Sequence, residues 1–311
     1  MVKPITYTLL LLGIMLSCNR QPRAVEVVVD GPSYFGEPVY TGGDRWPMTD
    51  RTVALGNRLF FDPTLSVDST VSCSSCHNQT AYFSDPGKAL STGMNDSLTV
   101  RNSPSLINLA WHTSFFREGG VRTLELSSIV PITHPNEIGR ELTELTTALS
   151  KDPTYAEAFE KAFNEKQMSD GQLITALAHY MATLVYADSP YDLYLRGEGT
   201  LETDAMAGMA LFQEHCSGCH SGGHLSDFSF ESNGLPTNSD YGRTLITLNP
   251  ADSGKFKVPA LRGVAATAPY MHDGSYATLD SVVRSYNFWH GLALSEGEID
   301  QLTSFLNQLG Q

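Results

Sequence analysis

Apolar side chains recur every three to four positions in separate stretches of the chain, and strict apolar–polar alternation is nowhere sustained. The pattern therefore predicts helices and no sheet core. The clearest helix is predicted over 170–187, where Leu173, Leu177, Met181 and Leu184 share one face and Ser169 with Gln172 forms a capping box. Thr49 or Asp50 opens a helix carrying Val53, Leu55, Leu59 and Phe60, and Pro63 stops it. Further helices are expected near 123–129, 141–150, 153–164, 203–215, 278–288 and 296–308, the last started by a Ser295/Glu298 box. A short helix should follow Arg101–Leu106. Residues 131–137 cannot be a regular helix, because Pro131 and Pro135 stand four apart. Gly-, Ser- and Asn-rich stretches at 78–101 and 221–254 read as loops, 259–274 as mostly irregular chain, and Val25–Val29 as a short strand.

A chain of 311 residues has room for two domains of ordinary size. Pro190 and the glycines of 188–199 mark the expected boundary, giving an N-terminal domain over 46–190 and a C-terminal one over 191–311. Residues 18–45, rich in Pro, Gly, Val and Tyr, read as a tether. Before them, Lys3 and the apolar run Ile5–Leu16 have the form of an export signal too short to span a bilayer. It ends in Met15-Leu16-Ser17-Cys18, an imperfect lipobox. The expectation is a lipoprotein signal over 1–17, with Cys18 lipidated on the periplasmic side of a bacterial membrane; ordinary signal-peptidase cleavage is the alternative. A net charge of −14 excludes a nucleic-acid partner, since phosphate binding needs a basic surface. It is compatible with a basic electron donor.

Two five-residue stretches change the picture most. Cys73-Ser74-Ser75-Cys76-His77 and Cys216-Ser217-Gly218-Cys219-His220 are both C-x-x-C-H, the spacing that attaches a c-type haem. Two thiols one turn apart add to the porphyrin vinyl groups, and the adjacent His ligates the iron. A structural zinc site would need four ligands held close together, and a dithiol redox pair does not ask for the following His. Of five cysteines, four lie in these motifs and the fifth is Cys18, so none remains for a disulfide. The fold class expected is all-α: two c-type cytochrome domains with long loops, each carrying one covalent haem, with His77 and His220 as iron ligands. No His lies between His77 and His112 to close the sixth site of the first iron.

Further motifs surround these two: Leu59-Phe60-Phe61-Asp62-Pro63, Arg101-Asn102-Ser103-Pro104-Ser105, Pro131-Ile132-Thr133-His134-Pro135-Asn136-Glu137, Phe256-Lys257-Val258-Pro259-Ala260-Leu261-Arg262 and Thr267-Ala268-Pro269-Tyr270-Met271-His272-Asp273-Gly274. With the paired haem motifs, they make the chain resemble the bacterial di-haem cytochrome c peroxidases, the group that also contains MauG-like enzymes, from about Leu59 to Leu309. The resemblance implies that haem 1 is peroxidatic and that haem 2 is six-coordinate and receives electrons. It implies hydrogen peroxide as substrate, a small cytochrome c or cupredoxin as donor, and a homodimer in the electron-transfer branch.

By the same resemblance Glu137 is the distal acid–base carboxylate, and Met94 lies where some relatives carry a detachable ligand. The sixth ligand of haem 2 is Tyr286 or Met271: electron-transfer peroxidases keep a Met at the position of Tyr286, and MauG-like proteins a Tyr. Asn102, Thr267 and Pro269 match positions that offer oxygens to an inter-domain calcium. Arg243 and Arg262 are candidate haem-propionate partners, and His272 is expected near haem 2. Two positions depart from the family: Arg117 stands where many relatives have an aromatic thought to conduct electrons between the haems, and Ser127 where a Gln is common. Trp111 is close in sequence but not at the aromatic position. His112, His134, His179, His215, His224 and His290 have no ligand spacing. Besides peroxide reduction, two readings remain: a MauG-like oxidant of a protein side chain, and a pure electron carrier.

Overall fold

The computed structural model describes residues 23–43, 45–235 and 240–310; Cys18 and the export segment lie outside the described residues. The first half contains α1 (Asp50–Phe61), the one-turn α2 (Cys73–Cys76), α3 (Leu124–Ser127), α4 (Ile129–Thr133), α5 (Leu142–Ser150), α6 (Pro153–Phe163) and α7 (Asp170–Ala182). The second contains α8 (Pro190–Leu195), α9 (Thr203–His215), α10 (Thr244–Thr247), α11 (Leu279–His290) and α12 (Glu296–Asn307). The one paired ribbon among the described residues joins β1 (Phe230–Glu231) antiparallel to β2 (Phe256–Lys257), with Phe230 opposite Lys257. The mostly helical architecture expected from the periodicity is present.

Two hydrophobic cores form. The first gathers Leu55, Leu59 and Phe60 of α1 with Leu145, Phe159, Leu173 and Leu177. The second gathers Ala205 and Phe212 of α9 with Leu279, Val283, Ile299, Leu302 and Phe305. Each such large side chain contributes roughly 1.5–3 kcal/mol on burial. Both cores rest on a helix crossing that a side chain would block: a Cβ on Gly56 would lie 1.9 Å from Ala176 O, and one on Gly208 the same distance from Gln301 O. These glycines bring α1 onto α7 and α9 onto α12.

Four stretches take a more definite form in the structure. Residues 23–43, expected as a tether, run along the first domain: Val29 and Phe35 are buried in the first core, and Tyr34 Oη donates to Asp192 at 2.7 Å. Pro and Gly there shape a surface-hugging chain whose aromatic residues still seek burial. The boundary stretch 188–199 holds α8, capped by Ser189 with Pro190 at its first turn, where a missing N–H costs nothing. The helix predicted over 170–187 stops at Ala182, because Asn108 takes the following backbone: its N–H donates to Leu184 O, and its Oδ1 accepts from Tyr186 N, both at 2.8 Å. Finally, α4 includes Pro131. As its third residue, Pro131 needs no intrahelical acceptor, and the chain leaves the helix before Pro135.

Candidate active site

Both C-x-x-C-H motifs are built alike. Ser72 and Ser75 close a capping box that starts α2, setting Cys73 and Cys76 one turn apart with His77 as the C-cap. His77 Nδ1 lies 2.7 Å from Phe83 O; a carbonyl only accepts, so Nδ1 carries the proton and Nε2 keeps its lone pair. In the second motif α9 ends on Cys216, and His220 Nδ1 donates to Leu225 O at 3.0 Å. Burial pushes both imidazoles below the usual histidine pKa, so both are neutral and free to ligate through Nε2. The four cysteines are unpaired thiols, and burial pushes Cys73 up to about 12. This donor set fits a covalent haem at each motif: thiols for the porphyrin and a tautomer-locked imidazole for iron.

Around the first motif three separated stretches converge. Cys76 Sγ faces Thr92 O at 3.9 Å. Next to it, Gly93 is pressed so closely on Asn136 that a Cβ would sit 1.7 Å from Asn136 O and 3.1 Å from Glu137 Cα. After burial, the charge of Glu137 adds to the rise of both the Cys73 and Cys76 thiol pKa values. Burial raises the Glu137 pKa, opposed by His134, whose Nδ1 lies 3.8 Å from Glu137 Oε1. Met94, 6% exposed, packs against Gly139 on the same loop pair.

Around the second motif Tyr286 and Met271 meet at a residue the sequence did not single out. The Asn233 amide faces the Tyr286 hydroxyl and also points at Met271 Sδ, 3.8 Å away. Burial raises the Tyr286 pKa to about 12, and Cys216 and Cys219 add to that rise. Its ring stacks on His290 at 5.4 Å.

Other candidates are placed differently from expectation. Arg262, a candidate propionate partner, has its Nη1 ion-paired with Asp192 and its Nε donating to Gly223 O at 2.7 Å. Both partners of the ion pair are essentially inaccessible, so only Nη2 is without a partner. Arg243 covers the Phe230 ring at 3.5 Å and donates to Glu118 O. His272 stacks on Phe256 at 4.0 Å and lies 3.5 Å from Asp240. Ser127 Oγ caps Leu124 O, and Trp111 Nε1 donates to Gly36 O inside the first core. His179 is a core histidine, bonded to Thr52 Oγ1 at 2.8 Å and pushed down to about 4 by burial.

The calcium positions do not fit that ion as they stand. Calcium draws six to eight oxygens to about 2.3–2.6 Å. Asn102 Oδ1, the side-chain oxygen expected to serve it, instead accepts from Arg117 Nη2 at 2.9 Å. Thr267 and Pro269 lie on the neighbouring loop, whose Ala268 carbonyl accepts from Gly87 N. No group of three or more His, Cys, Asp or Glu able to hold a metal occurs among the described residues.

Three residues of the site escaped the sequence reading. Asp192 had only its capping position to announce it, and nothing in the order of residues pairs it with Arg262, 70 positions away. Asn233 lies in a loop without periodicity. Lys257 sits in a quoted motif, but only the fold buries its ammonium, which donates to Ser114 O at 2.7 Å and is pushed down to about 7 by desolvation.

Comparison with known proteins gives concordant results. The family model described as di-haem cytochrome c peroxidase matches residues 50–200, and one described as RoxA-like, cytochrome c-like matches 255–288. The chain is 36% identical over 246 residues to the methylamine utilization protein MauG of Methylorubrum extorquens, covering 77% of this chain and 69% of that protein. It is 32% identical to the cytochrome c551 peroxidase of Pseudomonas aeruginosa, covering 85% and 80%. Among solved structures it is similar to a MauG-like protein associated with microbial copper homeostasis, with a TM-score of 0.83, 30% identity and coverage of 91% and 95%.

Proposed function

Because the chain belongs to the di-haem cytochrome c peroxidase family that includes MauG, we propose that it reduces hydrogen peroxide to water at the first haem, drawing electrons through the second from a small periplasmic donor. The observation that carries this reading is the seat of Glu137, half-buried on a loop that closes on Gly93, next in the chain to the Thr92 carbonyl that faces Cys76 Sγ. The haem iron, when bound, supplies the redox chemistry that breaks the O–O bond. Glu137 takes a proton from one peroxide oxygen and returns it to the other, so that water departs rather than hydroxide. Burial holds its pKa above the ordinary carboxylate range, which eases that return. Phe83 O and Leu225 O fix the imidazoles of His77 and His220 against rotation, and these two rings would hold the irons of the bound haems.

A second reading has one observation in its favour. Tyr286, buried and hydrogen-bonded to Asn233, stands at the position where the resemblance gives MauG-like proteins a Tyr. A phenolate at the second iron favours the ferric and higher states over the ferrous, which suits an oxidant of protein side chains. Among the described residues no helix is long and apolar enough to cross a membrane, and attachment through a lipid on Cys18 remains part of the proposal. The test is Glu137→Gln. Stopped-flow peroxide reduction with a reduced small cytochrome should fall at least about tenfold, acid–base groups contributing roughly 10²–10⁴ where they act fully, while both haem spectra stay intact. Unchanged turnover would remove Glu137 from the chemistry; peroxide consumption without donor oxidation would favour the second reading.

A further inference from the structure

Arg117 departs from the family pattern, and its side chain meets Asn102, a position where the family resemblance implies a metal ion. The guanidinium is enclosed; Nη2 donates to both the carbonyl and the side-chain oxygen of Asn102, at 3.2 and 2.9 Å, and Nε is buried without a partner. Asn102 itself is 4% exposed, and its amide is oriented unambiguously: Nδ2 donates to Lys88 O and Ala89 O, so Oδ1 must be the atom that meets Arg117. The same two residues tie the halves of the chain together. Asn102 N donates to His272 O at 2.9 Å, and Lys257 N donates to Arg117 O at 2.7 Å.

We propose that the Arg117 guanidinium is the resident cation of this junction, holding Asn102 in place of a bound calcium ion. A calcium ion on Asn102 Oδ1 would stand a few ångströms from a guanidinium that already uses the same oxygen. Two like charges sharing one acceptor in an enclosed setting oppose each other. An arginine guanidinium keeps its charge in proteins, so the cation at this junction is permanent. Arginine suits the position because a planar fork can grip a carbonyl and an amide oxygen together. An aromatic side chain here would leave Asn102 Oδ1 free for a metal; this chain instead supplies the positive charge covalently.

The experiment uses the purified di-haem protein and reads calcium, not turnover, so failure here and failure of the peroxidase reading are separate results. Elemental analysis should give two irons and well under 0.1 calcium per chain, and EGTA should leave the melting temperature and the ferric EPR spectrum unchanged. Arg117→Ala, which keeps the fold's backbone contacts, should melt lower than the wild type, and millimolar calcium should restore at least half of that loss. Close to one calcium per wild-type chain, or a melting temperature or EPR spectrum that responds to EGTA, overturns the proposal. So does an Arg117→Ala protein that melts as the wild type does or gains nothing from calcium. If that variant does not fold, the wild-type metal content and EGTA response decide alone.

Discussion

Gly93 offers the sharpest handle on the first haem site, because its replacement acts on Glu137 without touching any ligand. Its backbone is ordinary for an L-residue, at φ −101, so alanine brings no backbone strain. It brings a clash: the new methyl would sit 1.7 Å from Asn136 O, whereas ordinary contact begins near 3.4 Å. The two loops must therefore part by about 1.7 Å. Overpacking of this kind costs roughly 1–3 kcal/mol, equivalent to a melting-temperature drop on the order of 5 °C for a chain of this size. The functional cost should be larger, since misplacing a catalytic group by about 1 Å can lose 10²-fold. Gly93→Ala should thus lower the second-order rate with peroxide by about 10- to 100-fold in stopped-flow absorbance. Haem content should remain at two per chain, because α2 and the Phe83 and Leu225 carbonyls lie outside the disturbed contact. Gly297→Ala, a helix glycine with nothing within 4 Å, is the control. Wild-type reaction of Gly93→Ala with peroxide would refute the reasoning, showing that Glu137 does not need this seat.

Three further outcomes are expected. The acid limb of the peroxide rate should lie above the ordinary glutamate pKa of about 4.3: burial raises Glu137, so its ionised form is lost as pH falls through that higher value, and Glu137→Gln should abolish the limb. Asp192→Asn leaves the inaccessible Arg262 charge without its counter-ion, which costs roughly 3–5 kcal/mol and should lower the melting temperature by about 10 °C with both haems retained; an unchanged transition in calorimetry would mean that the pair contributes nothing. Tyr286→Phe should convert the low-spin ferric EPR signal of haem 2 to high-spin while Met271→Leu leaves it alone; the opposite pattern would make Met271 the sixth ligand.

What the amino-acid order determined was everything that depends on neighbours along the chain. The Cys–Cys–His triplets sit within five residues each, so their chemistry was legible before any fold. The caps at Ser169 and Ser295 and the amphipathic faces of α1 and α12 were legible for the same reason: helix periodicity and capping are local physics. What only the tertiary structure decided was which distant groups share an enclosed space. Helix α7 ends at Ala182 because Asn108, far away in sequence, takes its next backbone groups. Arg262 reads in the sequence as a candidate propionate partner, and only the fold sets Asp192 against it. Arg117 reads as a missing aromatic until Asn102 receives its guanidinium. Burial removes water from each of these groups, and a desolvated polar atom must take the partner the fold provides, a choice that no spacing along the chain records.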